Sequence, residues 1–117
     1  GDFSVAIDEL QKALSLMEDS PGLLASLGYV YAVAGDRDEA SRILAELATR
    51  AKRRPIAAFP VALIHVGLGD ADAAFTWLDR SLEHREDAMV SLKVNPRIDG
   101  LRSDPRLDEL MRRVGLP

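Results

Sequence analysis

Cysteine is missing from all 117 residues. Disulfides, thiolate zinc sites and thiol nucleophiles are therefore excluded from this sequence, and the usage fits a cytoplasmic setting. Aromatic residues make up 5%; alanine and leucine are abundant instead, which favours helix. An excess of positive charge is also missing. At a net charge of −4, no overall field draws nucleic acid. Nor is there a long apolar run. The longest mostly apolar window, Ile56–Gly69, has 14 residues and carries Pro60 and His65, whereas a bilayer span takes about 20. A buried helix is the better reading, with no membrane role. Glycine-rich phosphate loops, Ser-His-Asp sets and paired acid–base groups are absent too. The expectation is a non-catalytic protein with no cofactor and no metal.

What is present is a repeat. The pair Gly-Asp occurs at residues 1–2, 35–36 and 69–70, at intervals of 34. Four residues after each aspartate stands an alanine (Ala6, Ala40, Ala74), and four further a leucine (Leu10, Leu44, Leu78). Pro21 and Pro55 keep the same interval. A fixed period of this length signals stacked structural units.

One unit can be read in full. Ala40, Ile43, Leu44, Leu47, Ala48 and Ala51 form the stripe of an amphipathic helix. Before it, Pro21–Gly35 reads as a helix apolar on more than one side. Gly35 stops that helix, because glycine tolerates the left-handed conformation at a C-terminus. Asp36 then caps the next one, and Glu39 is placed to complete a capping box. The acidic cluster Asp36, Asp38, Glu39 is therefore read as helix punctuation, since it lacks the alternating ligands of a calcium loop. The unit is helix, tight turn, helix. The fold expected is all-α: a right-handed α-solenoid of antiparallel helix pairs.

Leu24, Leu27, Gly28 and Tyr31, then Ala40 and Leu44, resemble the tetratricopeptide repeat, whose pattern is W-x2-L-G-x2-Y followed by A-x3-F and P. Leu24 replaces the tryptophan, Leu44 the phenylalanine, and Lys52 the proline. Ala58, Val61, Ala62 and His65, then Ala74 and Leu78, give a weaker second copy. The resemblance covers residues 1–94: the second helix of one repeat (Asp2–Met17), two full repeats and part of another. It implies a protein-interaction scaffold. Phe3, Ile7, Leu10 and Leu14 lack a preceding helix, so a fragment of a longer protein is expected.

Residues 95–117 read as a terminal cap. After about Glu86 the 34-residue register fades, and Glu86–Val94 suggests one further short helix. Asp104 or Ser103 caps a last helix that starts at Pro105, with the stripe Leu107, Leu110, Met111 and Val114. Gly115 ends it and Pro117 forbids extension. The run L-R-S-D-P-R, an apolar helix and G-L-P resemble the ends of repeat regions in large bacterial signalling proteins. Those carry the repeats behind a serine/threonine kinase, a nucleotide cyclase or a winged-helix DNA-binding domain. Asn95 and Gly100 depart from the aspartate and proline usual in such tails.

In this family the first helices line a concave groove. The matching positions are Ala25, Tyr29, Ala32 and Val33, then Ile56, Phe59, Leu63 and Val66, an almost wholly apolar set. The basic side chains with which some members grip a peptide carboxylate are absent there. An exposed strip of this kind takes an amphipathic partner helix, a second copy in a homodimer, or neighbouring parts of the parent. The basic run Arg50–Arg54 reads as charge favourable to a helix C-terminus. His65 fills the tyrosine slot as a core or groove-edge residue, Trp77 falls on the core stripe, and Pro60 lies where a missing N–H costs least.

Overall fold

A computed structural model of the chain describes residues 3–17 and 20–115. Among these residues every regular element is helical. They form two compact units that divide after Ile56.

The first unit holds α1 (Ser4–Leu16), α2 (Pro21–Ala34) and α3 (Arg37–Ala51). Ser20 starts α2: its hydroxyl accepts the Leu23 N–H at 3.2 Å, and Pro21 takes the first helical position, where its missing N–H is no loss. All four matching positions of the first helix are buried: Leu24, Leu27, Gly28 and Tyr31. From α3 they meet Ala40, Ile43 and Leu47. Leu44 is half-buried, and Ala48 and Ala51 face solvent. Gln11 of α1 donates to the Tyr31 hydroxyl at 3.0 Å. The expected cap Asp2 lies outside the described residues, and α1 follows Phe3 with no side-chain cap.

The turn between α2 and α3 is a single glycine–aspartate corner. Gly35 is left-handed (φ 91°). Its N–H donates to Ala32 O at 3.2 Å, and the next N–H, of Asp36, donates to Tyr31 O at 2.9 Å. These two bonds satisfy carbonyls that the end of α2 would leave orphaned. The Asp36 carboxylate accepts the Glu39 N–H of α3 at 3.3 Å. The capping box expected from Glu39 does not form. The Asp36 N–H it would need is already given to Tyr31, and Glu39 turns instead to Arg42 at 2.6 Å.

The second unit repeats the design. Its α4 (Ala58–Leu68) and α5 (Ala71–Glu83) meet at Gly69 (φ 77°) and Asp70. Gly69 N–H donates to Val66 O and Asp70 N–H to His65 O, both at 3.0 Å, while the Asp70 carboxylate accepts the Ala73 N–H at 3.1 Å. Ala62, Ile64, Ala74 and Leu78 are completely buried. Pro55 does not mirror Pro21, for α4 starts three residues beyond it. Trp77 is only half-buried, under Arg80 at 4.5 Å; Phe75 takes the buried place.

The expected helix at Glu86–Val94 is a short 3-10 segment, Asp87–Ser91, and a second follows at Pro96–Leu101. Then comes α6 (Pro105–Val114), whose cap is Asp104, accepting the Arg106 N–H at 2.9 Å. Asp104 stands 34 residues after Asp70, so the register does not fade at Glu86. Ile98, 34 after Ile64, is buried as fully as Ile64. This stretch is one more cycle, with its first helix interrupted at Pro96. Two ion pairs span α5 and α6 in the same step: Arg106–Asp72 at 2.8 Å and Arg113–Asp79 at 2.9 Å.

At the end of α5, Arg85 occupies the glycine place with φ 52°. A side chain in that conformation carries backbone strain of about 1 kcal/mol. Replacing Arg85 with glycine should raise stability by about 0.5–1 kcal/mol. Gly69→Ala should cost about 1 kcal/mol, through conformation alone, because an added Cβ there would meet no atom within 4 Å. Urea titration at constant m checks both; a loss on Arg85→Gly would refute the assignment.

Candidate functional site

In the acidic cluster, Asp36 and Glu39 are occupied by structural work. Asp36 caps α3, and Glu39 pairs with Arg42, whose hydrogen bond holds the Glu39 carboxyl below its usual range. The residues proposed for the groove fare unevenly. In the first unit Ala25 and Ala32 are buried, Tyr29 is half-buried, and Val33 is 38% exposed. The open part of that surface is the flank of α2 carrying Tyr29 and Val33, one turn apart. Ile56 is half-buried.

In the second unit Phe59 and Leu63 are each 4% exposed, and Val66 is half-buried. These side chains do not line an open strip. The chain itself lies on α4: the Pro96–Leu101 segment rests against it, and a Cβ on Gly100 would stand 3.4 Å from Val66 Cγ1. Hydrophobic periodicity marks which flank of a helix is oily. It does not say whether a later segment covers it.

Glu86 is the residue that sequence reasoning missed. The helix α4 begins after Ala57 with no side-chain cap of its own. Its first turn would leave the N–H groups of residues 57 to 60 without helical partners. Pro60 has none to offer. The Glu86 carboxylate accepts those of Ala58 (2.7 Å) and Phe59 (2.9 Å). It also accepts the hydroxyl of the fully buried Ser81 at 2.7 Å. The Glu86 backbone N–H returns to Ser81 O at 3.0 Å. Burial disfavours the charge on Glu86, but the bonds from Ala58, Ser81 and Phe59, with His84 nearby, outweigh it and hold its carboxyl below the ordinary 4.5. The available signal was negative: a helix start with no Ser, Thr, Asp or Asn ahead of it needs a remote cap.

His65 is half-buried in the tyrosine slot, and its buried Nδ1 has no partner among the described residues. Burial lowers its pKa from 6.5, against a smaller opposing pull from Asp70. Among the described residues no three His, Asp or Glu side chains gather as a metal site, and no helix is long and apolar enough to cross a membrane.

Helix pairs closed by glycine–aspartate corners at a 34-residue step define an α-helical repeat protein. The sequence model of the tetratricopeptide repeat family matches residues 1–59. The chain belongs to that family. No curated protein and no solved structure matches it.

Two titrations follow from these environments. Glu86 stabilises the fold above pH 4.5, and that contribution fades as pH falls through its lower folded value. Glu86→Ala should cost about 2–3 kcal/mol at neutral pH, and Glu86→Gln should flatten the acid slope of stability. A neutral His65 is likewise favoured by folding, fully above pH 6.5 and progressively less below it. His65→Phe should remove that component. Chemical denaturation across pH 3–7 measures both, and unchanged slopes would contradict the assignments.

Proposed function

We propose that this chain is a non-catalytic protein-interaction module of a larger regulatory or signalling protein of the bacterial cytoplasm. The observation that carries the reading is the tetratricopeptide fold with an open apolar flank on α2. The family's function as a scaffold gives the class, and the tail's likeness to bacterial signalling proteins gives the setting. Of the eight groove residues, Tyr29, Val33, Ile56 and Val66 keep some exposure; Tyr29 and Val33 share one flank of α2, and their spacing of four suits one face of an amphipathic helix.

A second reading rests on α1. None of its residues is buried, while Ala40 and Ala74, in the register of its Ala6, are both 0% exposed. Val5 and Leu16 stand largely in solvent. Such a surface favours self-association, or cover by another repeat of the parent.

Val33→Asp tests the first reading. The substitution leaves the core untouched, so the helical circular dichroism should stay. Affinity for a purified partner, first identified by cross-linking in cells, should drop by about tenfold or more. An interaction profile identical to that of the unaltered chain would reject the α2 surface. For the second reading, light scattering should show mass rising with concentration and Val5→Asp should abolish the rise; a monomer at all concentrations excludes it.

A further inference from the structure

Helix α1 packs against α2, and its half-buried Ile7, Leu10 and Leu14 mark the side turned inward. On the other side Val5, Glu9, Lys12 and Leu16 are all exposed, Val5 at 62% and Leu16 at 85%. They follow one another at steps of four, three and four. On a helix they fall within about 60° of each other, as one straight stripe. Alternating steps of three and four are those of a seam along which two helices pack.

The stripe reads the same from either end: apolar, charged, charged, apolar. Its centre, between Leu10 and Gln11, separates the acid from the base. A second copy laid antiparallel about a twofold axis through that centre sets Val5 of each copy against Leu16 of the other. It also sets Glu9 of each against Lys12 of the other. A twofold interface must be self-complementary, and this pattern is so in both shape and charge. A parallel pairing would instead set Glu9 on Glu9 and Lys12 on Lys12, like charges that repel. Antiparallel helices also oppose their dipoles favourably.

The register argues against another repeat as the cover of this face. Glu9 stands 34 residues before Ile43, and Ala13 34 before Leu47. Ile43 and Leu47 are residues that α3 buries beneath α2. A helix laid on α1 as α2 lies on α3 would bury the Glu9 carboxylate where the other unit has isoleucine, which costs heavily unless a cation comes with it. A second copy brings that cation, in Lys12.

We infer that α1 pairs antiparallel with α1 of a second copy, with two Val5–Leu16 contacts at the ends of the seam and two Glu9–Lys12 pairs at its centre. The inference rests on the self-association reading above and adds its geometry. Four residues per copy make a short seam, so the dimer is weak, with Kd above about 1 μM.

Sedimentation equilibrium on the full chain reads the association. Glu9→Lys and Lys12→Glu should each weaken it by about tenfold or more, because each sets like charges together twice. The double variant Glu9→Lys, Lys12→Glu should associate as the unaltered chain does, which guards against misfolding of the single variants. An equimolar mixture of the two single variants should form a mixed dimer, tighter than either forms with itself. Because the chain lacks cysteine, Val5→Cys mixed with Leu16→Cys should cross-link under mild oxidation faster than either variant alone. A monomer at every concentration would reject self-association and this inference together. Association unchanged in both single variants, a double variant no stronger than the singles, or Val5→Cys cross-linking faster with itself than with Leu16→Cys would leave self-association standing and overturn the antiparallel seam.

Discussion

Two adjacent residues decide how this chain turns. At each corner a left-handed glycine lets two successive N–H groups fold back onto the helix just finished, and the aspartate carboxylate opens the next one. The end of one helix and the start of another are thus satisfied without any loop. Because the corner is so short, the two helices must run antiparallel, and their apolar stripes meet with little entropy lost to loop closure. The burial of Ala40, Ile43 and Leu47 against α2, and of Ala74 and Leu78 against α4, follows from that geometry. A cap contributes about 1 kcal/mol, a small sum beside the core. Its larger effect is to fix where each stripe begins, and so which faces can meet.

The end of α5 shows the same bonds achieved differently. Arg85 donates to Leu82 O and Glu86 to Ser81 O, the pattern made at Gly35–Asp36. Here the acidic side chain does not open the element that follows it. It reaches back to the start of α4. The pair α4–α5 is therefore clasped at both ends, by Asp70 at the corner and by Glu86 at the open end. A hydrogen-bonded carboxylate at the positive end of a helix is favourably placed, and two of the bonds it makes are to N–H groups that no local residue serves.

The corners, helix pairs and core positions were legible because they depend on local spacing. Leu24, Leu27, Gly28 and Tyr31 are buried as the pattern requires, and Asp104 caps α6 ahead of Pro105. What escaped was non-local or competitive. Glu86 caps a helix 28 residues away, a relation no short pattern encodes. The capping box at Glu39 failed because two motifs compete for a single N–H. Phe59 and Leu63 looked open because a stripe was visible, whereas their burial was not. The last cycle was hidden by Ser103 in the glycine place and by Pro96 and Gly100 within its first half.

The same cycle shows how one more helix docks on α5: one face turns inward and the other stays polar. In α6, Leu107 and Leu110 are buried while Asp108, Glu109, Arg112 and Arg113 face solvent. The energy of docking comes from the two leucines, each worth about 1.5–3 kcal/mol when buried. The pairs Arg106–Asp72 and Arg113–Asp79 are solvated and add little. Their value is positional. Seven residues apart on each helix, they fix the sliding of α6 along α5, and the guanidinium of Arg106, 4.6 Å over the Phe75 ring, covers apolar surface that a shifted helix would expose. Breaking the first helix of the cycle at Pro96 gives up helical hydrogen bonds but brings Gly100 close to Val66. A Cβ at that point would stand 3.4 Å from Val66 Cγ1, the limit of ordinary van der Waals contact.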